Sequence, residues 1–465
     1  LYWFIFQKSL KVQNLLLLIS SYIFYGWWDW RFLSLIFLST VVDYFMGLKI
    51  YDSSGKKTKN SYLWITILFN LGLLGFFKYF NFFIDSWIDF LAILGYEHQS
   101  TWTLNIILPI GISFYTFQTM SYSLDIYYGK LKPTKDFISF ASFVSFFPQL
   151  VAGPIERASN LLPQILGNRV FKYEEGVKGL RLILWGMFKK VVIADSLAPY
   201  VDNIFQDYSS HNGGVLLLGL IYFSFQIYCD FSGYSDIAIG TSKLFGFKLM
   251  SNFKFPYFSR DIGEFWRRWH ISLSTWLRDY LYIPLGGSKR GKWLSIRNIF
   301  IVFIVSGFWH GANWTFVTWG LIHALLYIPL FLKSKNRKYN SNIIFENRWF
   351  PNFKEIFQMG STFFFTTISW VFFRSENIND AFNYLLKMIT EIELPSDNRS
   401  GIIFVVLLVA FDWMLLKNEQ FFFSIQENKS TFTKIDILKY LVYYILVYSV
   451  FFYSVRQEKF IYFQF

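Results

Sequence analysis

The feature that most constrains this chain is a succession of apolar runs, most of them long enough to cross a lipid bilayer as a helix. A transmembrane helix needs about 20 mostly apolar residues. The candidate spans are 12–28, 31–50, 61–80, 104–127, 177–197, 214–239, 299–332, 358–373, 401–417 and 436–455. Shorter apolar pieces, which we expect as half-spans or re-entrant segments, lie at 1–7, 82–95, 137–152 and 380–390. The sequence thus predicts an all-α polytopic membrane protein with about ten to twelve crossings, built as a single membrane domain over residues 1–465.

The composition supports a membrane protein and excludes the other common classes. Of 465 residues, 54% are hydrophobic and 16% are charged, whereas roughly 25% are charged in soluble domains. So few charged residues cannot supply the polar surface of a soluble protein, and disordered, collagen-like and disulfide-rich chains are excluded as well. Cys229 is the one cysteine, so no intrachain disulfide or cysteine-based zinc site can form, and we expect no metal. The chain begins at Leu1 inside an apolar stretch, and we expect that part of the first membrane segment is missing.

The positive charge lies mainly in loops between the apolar runs. The net charge of +13 would suggest nucleic acid in a soluble protein, but no soluble basic domain is visible, and we expect no nucleic-acid partner. Short basic loops are instead typical of the cytoplasmic side of a membrane protein. They lie at 56–59, 130–135, 289–297 and 333–338. We assign the last two to the cytoplasm, and the topology of residues 50–136 stays open because three full spans would separate the first two.

Two carboxylates occur together near the end of a candidate span. Asp230 and Asp236 lie six residues apart in the stretch 228–236. This spacing does not place them on neighbouring positions of one helix face, so a joint acid and base role is disfavoured. The interpretation that we favour is a polar bend, broken by Gly233, that caps a helix or pairs with an arginine.

A second unusual stretch, residues 264–280, is aromatic, basic and helical in pattern, but too charged for a span that faces lipid. Its large side chains recur every three or four residues and predict one broad aromatic stripe. The stripe consists of Trp266, Trp269, Leu273, Trp276 and Tyr280. An interfacial amphipathic helix would explain the pattern. His270 fits that interpretation poorly because it lies beside the stripe, and both a structural and a catalytic role stay open for it.

A third stretch carries a histidine within the apolar run 299–332. His310 follows Arg297 by 13 residues, or about 20 Å of helix, which predicts a position near the middle of a hydrocarbon core about 30 Å thick. One continuous helix over the run would be about 50 Å long, so we predict a break near Gly311 and Asn313. Irregular backbone at that depth must be buried in protein or line a cavity. This favours a functional role for His310. For His323, a packing role and a functional role fit equally well.

Several short motifs resemble one known family. They are 109–115, 147–154, 230–236, 265–276, 282–287, 309–311 and 460–465. Together they resemble the membrane-bound O-acyltransferase (MBOAT) family, and within it the bacterial membrane subunits that O-acetylate alginate, peptidoglycan and other polysaccharides. The resemblance runs nearly end to end and is most specific in the central motifs. It implies a curved ring of membrane helices around a central funnel.

The resemblance also implies which residues form the site. His310 matches the family's invariant histidine, His270 maps onto the second site position, and His323 matches a further histidine of the bacterial subgroup. The remaining candidates are accessory residues Asp236, Trp309 and Asn313, and donor-binding residues Arg267, Arg268 and Trp276. His310 would act as a general base or carry the acyl group, while His270 would orient the donor or polarise its carbonyl.

The implied reaction is acyl transfer across the bacterial inner membrane. The donor is expected to be acetyl-CoA or another cytoplasmic acyl thioester, with no permanently bound cofactor. An extracytoplasmic transferase is the expected partner, and it would pass the acyl group to a glycan. Three alternatives stay open: D-alanyl transfer from a carrier protein to a cell-wall polymer, transport of a glycan or lipid precursor, and a structural role without catalysis.

Overall fold

The computed structural model describes residues 1–96, 103–339, 348–417, 434–454, 458 and 460–461. These residues form helices joined by loops and short turns, and no β-strand occurs among them. The helices are α1 (Leu10–Asp29), α2 (Leu33–Asp52), α3 (Lys56–Leu74), α4 (Phe80–Ile93), α5 (Ile112–Tyr127), α6 (Phe137–Val144), α7 (Phe147–Leu150), α8 (Ala158–Leu166), α9 (Tyr173–Met187), α10 (Asp195–Gln206), α11 (Gly213–Leu244), α12 (Ile262–Arg268), α13 (Ile271–Leu277), α14 (Lys292–His310), α15 (Trp314–Leu332), α16 (Phe353–Arg374), α17 (Ile378–Thr390), α18 (Ile402–Lys417) and α19 (Lys434–Tyr453). Short π-helical segments lie at Gly75–Tyr79, Phe188–Ala194 and Arg278–Tyr282.

Seven segments of the described chain are long and apolar enough to cross a membrane. They are Leu10–Asp52, Lys56–Ile93, Gly213–Leu244, Lys292–His310, Trp314–Leu332, Phe353–Arg374 and Arg399–Lys417. The first two contain 43 and 38 residues, about twice the length of a single pass, and each has a change of helix type within it. The expected all-α polytopic class is therefore confirmed, while the number of crossings and the ring around a funnel stay predictions.

The described chain divides into two compact units. The first contains Leu1–Lys172 and Ser242–Met250, and the second contains Tyr173–Thr241 and Ser251–Phe465. In the first unit, α2 contributes a wholly buried carboxylate, Asp43, which accepts hydrogen bonds from Asn70 and Ser123. All the candidate site residues lie in the second unit. The single membrane domain expected from the sequence stays a prediction.

The bend predicted at 228–236 is wrong. Helix α11 runs without interruption for 32 residues from Gly213 to Leu244. Gly233 does not break the helix; it allows close packing against a neighbouring backbone. A Cβ atom at Gly233 would lie 2.7 Å from the carbonyl oxygen of Gly186, so the glycine lets two backbones approach closely. The pairing part of that interpretation is confirmed, with lysines in place of an arginine: Lys190 binds Asp230 at 2.8 Å and Lys189 binds Asp236 at 2.6 Å.

Helix α17 packs against the rest of the second unit through both apolar and polar residues, and Ala381 and Tyr384 are buried. Tyr384 donates to the carbonyl of Leu216. Asp380 accepts a hydrogen bond from Tyr208, and Lys387 donates to the carbonyl of Ser209. Its apolar residues Phe382 and Leu386 point outward and are exposed. Such an outward apolar face is typical of a helix that lies against lipid.

Candidate active site

The single helix predicted over 264–280 is wrong, and the break in it positions His270. Helix α12 ends at Arg268 and α13 begins at Ile271. Between them His270 adopts the left-handed conformation, with φ 43° and ψ 53°, which is uncommon for a residue with a side chain. Backbone hydrogen bonds hold the break, from Ile271 N to Asn252 O and from Lys254 N to Arg268 O, each 2.9 Å long.

The predicted break after His310 is confirmed. Helix α14 ends at His310 and α15 begins at Trp314, and the two pack closely as a hairpin. A Cβ atom at Gly307 would lie 2.1 Å from the carbonyl oxygen of Phe316, so the packing requires glycine. Helix α14 begins at Lys292, about 27 Å along the axis from His310, and the depth of His310 in a bilayer stays a prediction.

The two histidines that the sequence nominated lie side by side. The centroids of the His270 and His310 rings are 6.0 Å apart, with the ring planes at 58°. His270 is wholly buried and His310 is 3% exposed. Residues 40 positions apart in the chain thus come close enough for one small acyl group to contact both rings.

Aromatic rings enclose this pair. The ring of His270 packs edge-on against Phe231 with centroids 4.6 Å apart, and Trp309 contacts both histidines. Trp319 and Phe373 each lie 5.3 Å from His310. Burial among such apolar groups penalises the charged imidazolium and lowers the pKa of His270 to about 3. His270 is therefore a neutral imidazole at physiological pH.

One layer of rings separates His323 from the pair. Trp319 contacts His310 on one side and His323 on the other, at 5.3 Å and 4.8 Å. The Nε2 atom of His323 lies 3.0 Å from the hydroxyl of Ser369. His323 is wholly buried, and Trp319 packs between it and His310. Its accessory role stays a prediction.

The other accessory candidates occupy separate positions. Asn313 caps α15, accepting from Thr315 N at 2.9 Å, and donates to the carbonyl of Glu376. Asp236 pairs with Lys189, as described for α11. Of the candidates beyond the two histidines, Trp309 is therefore the one whose ring contacts the pair.

A cavity of about 670 Å³ lies among residues close to the two histidines in the chain, although neither imidazole is among its lining residues. Two of its lining residues are neighbours of the pair along the chain: Ile271 follows His270 directly, and Ser306 precedes His310 by one helical turn. Aromatic and aliphatic side chains line most of the remaining wall. The cations that line it are Arg267, Arg278 and Arg337.

The three donor-binding candidates differ in how they relate to this cavity. Arg267 lines it and donates hydrogen bonds to the carbonyls of Asn336 and Tyr339. Arg268 instead holds the fold together, through an ion pair with Glu264 at 3.0 Å. Trp276 is buried and is not among the lining residues. The geometry thus favours Arg267 over the other two as a donor contact.

Comparison with known proteins decides the family. A sequence model of the membrane-bound O-acyltransferase family matches residues 56–370, which is more than half of the chain. This chain belongs to the MBOAT family. The match covers the helix break at His270, the hairpin that carries His310, and the whole lining of the cavity.

Curated MBOAT relatives agree with this assignment. The protein named "Probable alginate O-acetylase AlgI" of Pseudomonas syringae pv. tomato is 43% identical, covering 80% of this chain and 69% of the relative. The peptidoglycan O-acetyltransferase of Helicobacter pylori is 37% identical over 83% of this chain and 75% of its own length. The teichoic acid D-alanyltransferase of Bacillus subtilis is 31% identical over 53% of this chain and 64% of its own length. The chain is thus an acyltransferase of the MBOAT family and a multi-pass membrane protein.

Sequence reasoning missed three residues of this MBOAT unit. Lys189 and Lys190, which neutralise the two carboxylates of α11, are themselves buried. Two lysines within the apolar run 177–197 were a usable signal, because buried charges in such a run need partners. Asn252, which lies within hydrogen-bond distance of His270, could not be recognised from the sequence. A single asparagine in a loop follows no periodic pattern.

Proposed function

We propose that this chain works in the bacterial inner membrane and takes an acetyl group from cytoplasmic acetyl-CoA for the O-acylation of an extracytoplasmic polysaccharide. The relatives named as alginate O-acetylase and peptidoglycan O-acetyltransferase support both the acyl group and the class of acceptor. The third named relative is a D-alanyltransferase that acts on teichoic acid, and it too names an acyl group and a polymer.

The cavity lined by Ile271 and Ser306 carries the proposal. Its volume of about 670 Å³ falls within the usual range for small-molecule sites, roughly 300–1,000 Å³. Guanidinium groups such as those of Arg267 and Arg337 are suited to phosphate oxygens, whereas the apolar wall suits a pantetheine arm. A donor bound in this way would direct its thioester toward Ser306 and Ile271, and so toward the two histidines.

The chemistry of the pair follows from acyl transfer. A hydroxyl oxygen attacks the thioester carbonyl, a C–O bond forms, the C–S bond breaks, and the hydroxyl proton passes through an imidazole to the leaving sulfur. His310 serves either as the base in this step or as a transient acyl carrier. A neutral imidazole is required for both roles.

In this proposal, transfer of the acyl group to the glycan acceptor requires a second protein. In the proposed pathway an extracytoplasmic transferase receives the acyl group and esterifies the glycan. The Gly311–Asn313 turn is the natural exit side, because it lies at the end of α14 opposite Lys292 and its basic loop. On that side Asn313 donates a hydrogen bond to the carbonyl of Glu376. This bond connects the turn to the loop between α16 and α17.

The donor half of the proposal is tested with purified protein in lipid nanodiscs. Binding of a non-hydrolysable acetyl-CoA analogue is measured by calorimetry, and CoA release from acetyl-CoA is measured with the partner transferase present. We expect His310→Ala to bind the analogue but to abolish release, and Arg267→Gln to weaken binding. Lys289→Gln is the control, because Lys289 is an exposed cation outside the cavity lining.

Two results would reject the proposal. Native protein that fails to bind the analogue excludes CoA as donor, and native turnover by His310→Ala removes that residue from the chemistry. D-alanyl transfer is the second candidate, supported by the relative from Bacillus subtilis. A parallel assay with a D-alanyl carrier protein separates the two donors, because only the true donor gives turnover that depends on His310.

A further inference from the structure

The side chain of Asn252 has a fixed orientation. It is 1% exposed, and its Oδ1 atom accepts hydrogen bonds from the backbone N–H and the hydroxyl of Ser272, at 3.3 Å and 2.9 Å. Its Nδ2 atom donates to the hydroxyl of Ser235 at 3.1 Å. Since a backbone N–H can only donate, the atom that faces Ser272 must be the oxygen.

This orientation determines where His270 carries its proton. The Nδ1 atom of His270 lies 3.1 Å from the same Asn252 oxygen, and an amide oxygen can only accept. The Ser272 hydroxyl lies farther from Nδ1, at 3.5 Å, and donates to Asn252 at 2.9 Å, so the geometry favours the hydrogen on Nδ1. In a neutral imidazole Nε2 is then unprotonated, and in the described structure that atom is buried without a hydrogen-bond partner.

We propose that Asn252 is a positioning residue for acyl transfer, which holds His270 as the Nδ1–H tautomer so that its bare Nε2 accepts a proton from the attacking group. The inference rests on the proposed function of the histidine pair. It changes the role of His270: without a hydrogen on Nε2, the neutral ring cannot polarise the donor carbonyl through that atom. The proton taken by Nε2 is passed to the leaving sulfur as the C–S bond breaks, so the histidine is regenerated.

The surroundings of His270 are compatible with this role. Among the described residues, the titratable group whose ring faces it is His310, and its other ring contacts are Phe231, Phe253 and Trp309. No carboxylate is described in contact with the ring to hold a permanent imidazolium. Negative charge that develops on the acyl oxygen during attack favours the imidazolium at the moment when the proton moves.

The backbone contact of Asn252 is separate from its side-chain contact. Ile271 N donates to the backbone carbonyl of Asn252, and this bond survives any side-chain substitution. A variant such as Asn252→Leu, of nearly the same size, thus removes the tautomer control while keeping the anchor of the helix break. Asn252→Asp keeps an acceptor for Nδ1–H and adds a negative charge. Ser251→Ala, at an exposed neighbour in the same loop, is the control for loop folding.

The test combines kinetics with ¹⁵N NMR of histidine-labelled protein, in which the difference from His270→Gln identifies the His270 signals. We expect native His270 to show a protonated Nδ1 and a bare Nε2. Asn252→Leu should lose roughly 10²- to 10⁴-fold in kcat, the usual contribution of general acid–base catalysis, without a change in KM for acetyl-CoA. Asn252→Asp should restore kcat at high pH, with the acidic limb of the pH profile moved upward by about 1–3 units.

The outcomes separate this inference from the proposed function. A native Nε2–H tautomer, or native kcat in Asn252→Leu while His270→Gln is inactive, overturns the role of Asn252 alone. Full activity of both His270→Gln and His310→Ala overturns the proposed site itself. If Asn252→Leu fails to fold, the native NMR spectrum and the pH profile of Asn252→Asp still decide the question.

Discussion

At the scale of single residues, the site depends on a histidine in a conformation that histidines seldom adopt. A left-handed residue other than glycine costs on the order of 1–3 kcal/mol and persists only where the surroundings enforce it. At His270 the enforcement comes from two backbone hydrogen bonds and from the aromatic rings around the imidazole. In this conformation the imidazole lies beside that of His310, with ring centroids 6.0 Å apart.

The burial of His270 predicts a pH dependence of stability. Its pKa is about 3 in the folded protein against an ordinary value of 6.5. Below pH 6.5 the unfolded chain therefore binds a proton that the folded chain does not, and stability falls as the pH falls. Between pH 7.5 and pH 5 we expect a loss of about 2 kcal/mol in the free energy of unfolding.

The measurement is thermal unfolding in detergent over this pH range, with His270→Gln as the reference, since glutamine does not titrate. The native protein should lose melting temperature more steeply than the variant as the pH falls. Parallel curves would show that His270 is not held neutral by the fold.

The sequence predicts the catalytic candidates better than it predicts the residues that hydrogen-bond to them. His310 and His270 could be nominated because ionisable residues in apolar or aromatic runs are costly and therefore conspicuous. The partner of His270 could not, because Asn252 lies 18 positions earlier in a loop of ordinary composition. Only the three-dimensional hydrogen bonds distinguish it from any other loop asparagine.

At the scale of elements, the α14–α15 hairpin sets the position of His310. The two helices cross so closely that Gly307 and Gly320 each face a backbone carbonyl of the other helix. Length predicts the break between the helices, since 34 apolar residues cannot form one pass. The break at His270 escapes prediction because the three- and four-residue spacing of large side chains continues across it.

We expect Gly307→Ala to impair the enzyme through this hairpin. The new Cβ would lie 2.1 Å from the carbonyl oxygen of Phe316, so the helices must separate, and overpacking of this kind costs about 1–3 kcal/mol. His310 is three residues away on the same helix, and a small misplacement should lower kcat roughly 10- to 100-fold.

Gly360→Ala is the matched control for this prediction. Gly360 lies within α16, and a Cβ atom there would meet nothing within 4 Å. Alanine should therefore be tolerated, or should add up to about 1 kcal/mol of helix stability. Both variants are assayed for CoA release and melting temperature. Equal behaviour of the two would contradict the close packing at Gly307.

At the scale of the whole molecule, the described helices predict which loops share a side of the membrane. The basic loop before α14 and the one after α15 lie at the same end of the hairpin, consistent with the cytoplasmic assignment made from their lysines and arginines. The opposite end contains Asn313, whose side chain donates to Glu376 O at 2.9 Å. Glu376 should therefore face the extracytoplasmic side.

Cysteine labelling tests this arrangement. In cells stripped of any outer membrane, a membrane-impermeant maleimide should label Glu376→Cys directly, and Lys335→Cys only after permeabilisation. Both positions are exposed, and the native Cys229 is wholly buried, so the unmodified chain serves as the blank. Labelling of both positions from outside would contradict a single pass by α15.

The aromatic enclosure of the two histidines also governs how much acetyl group reaches its destination. Water is a nucleophile of the same kind as a sugar hydroxyl and is far more abundant, so an accessible thioester would be lost to hydrolysis. An ordered water molecule needs two to four polar partners. The rings of Phe231 and Phe373 provide none, so the polar atoms on this side of the pair are the imidazole and indole nitrogens. The enclosure therefore sets the yield of the reaction, the fraction of donor molecules spent on product rather than on free acetate.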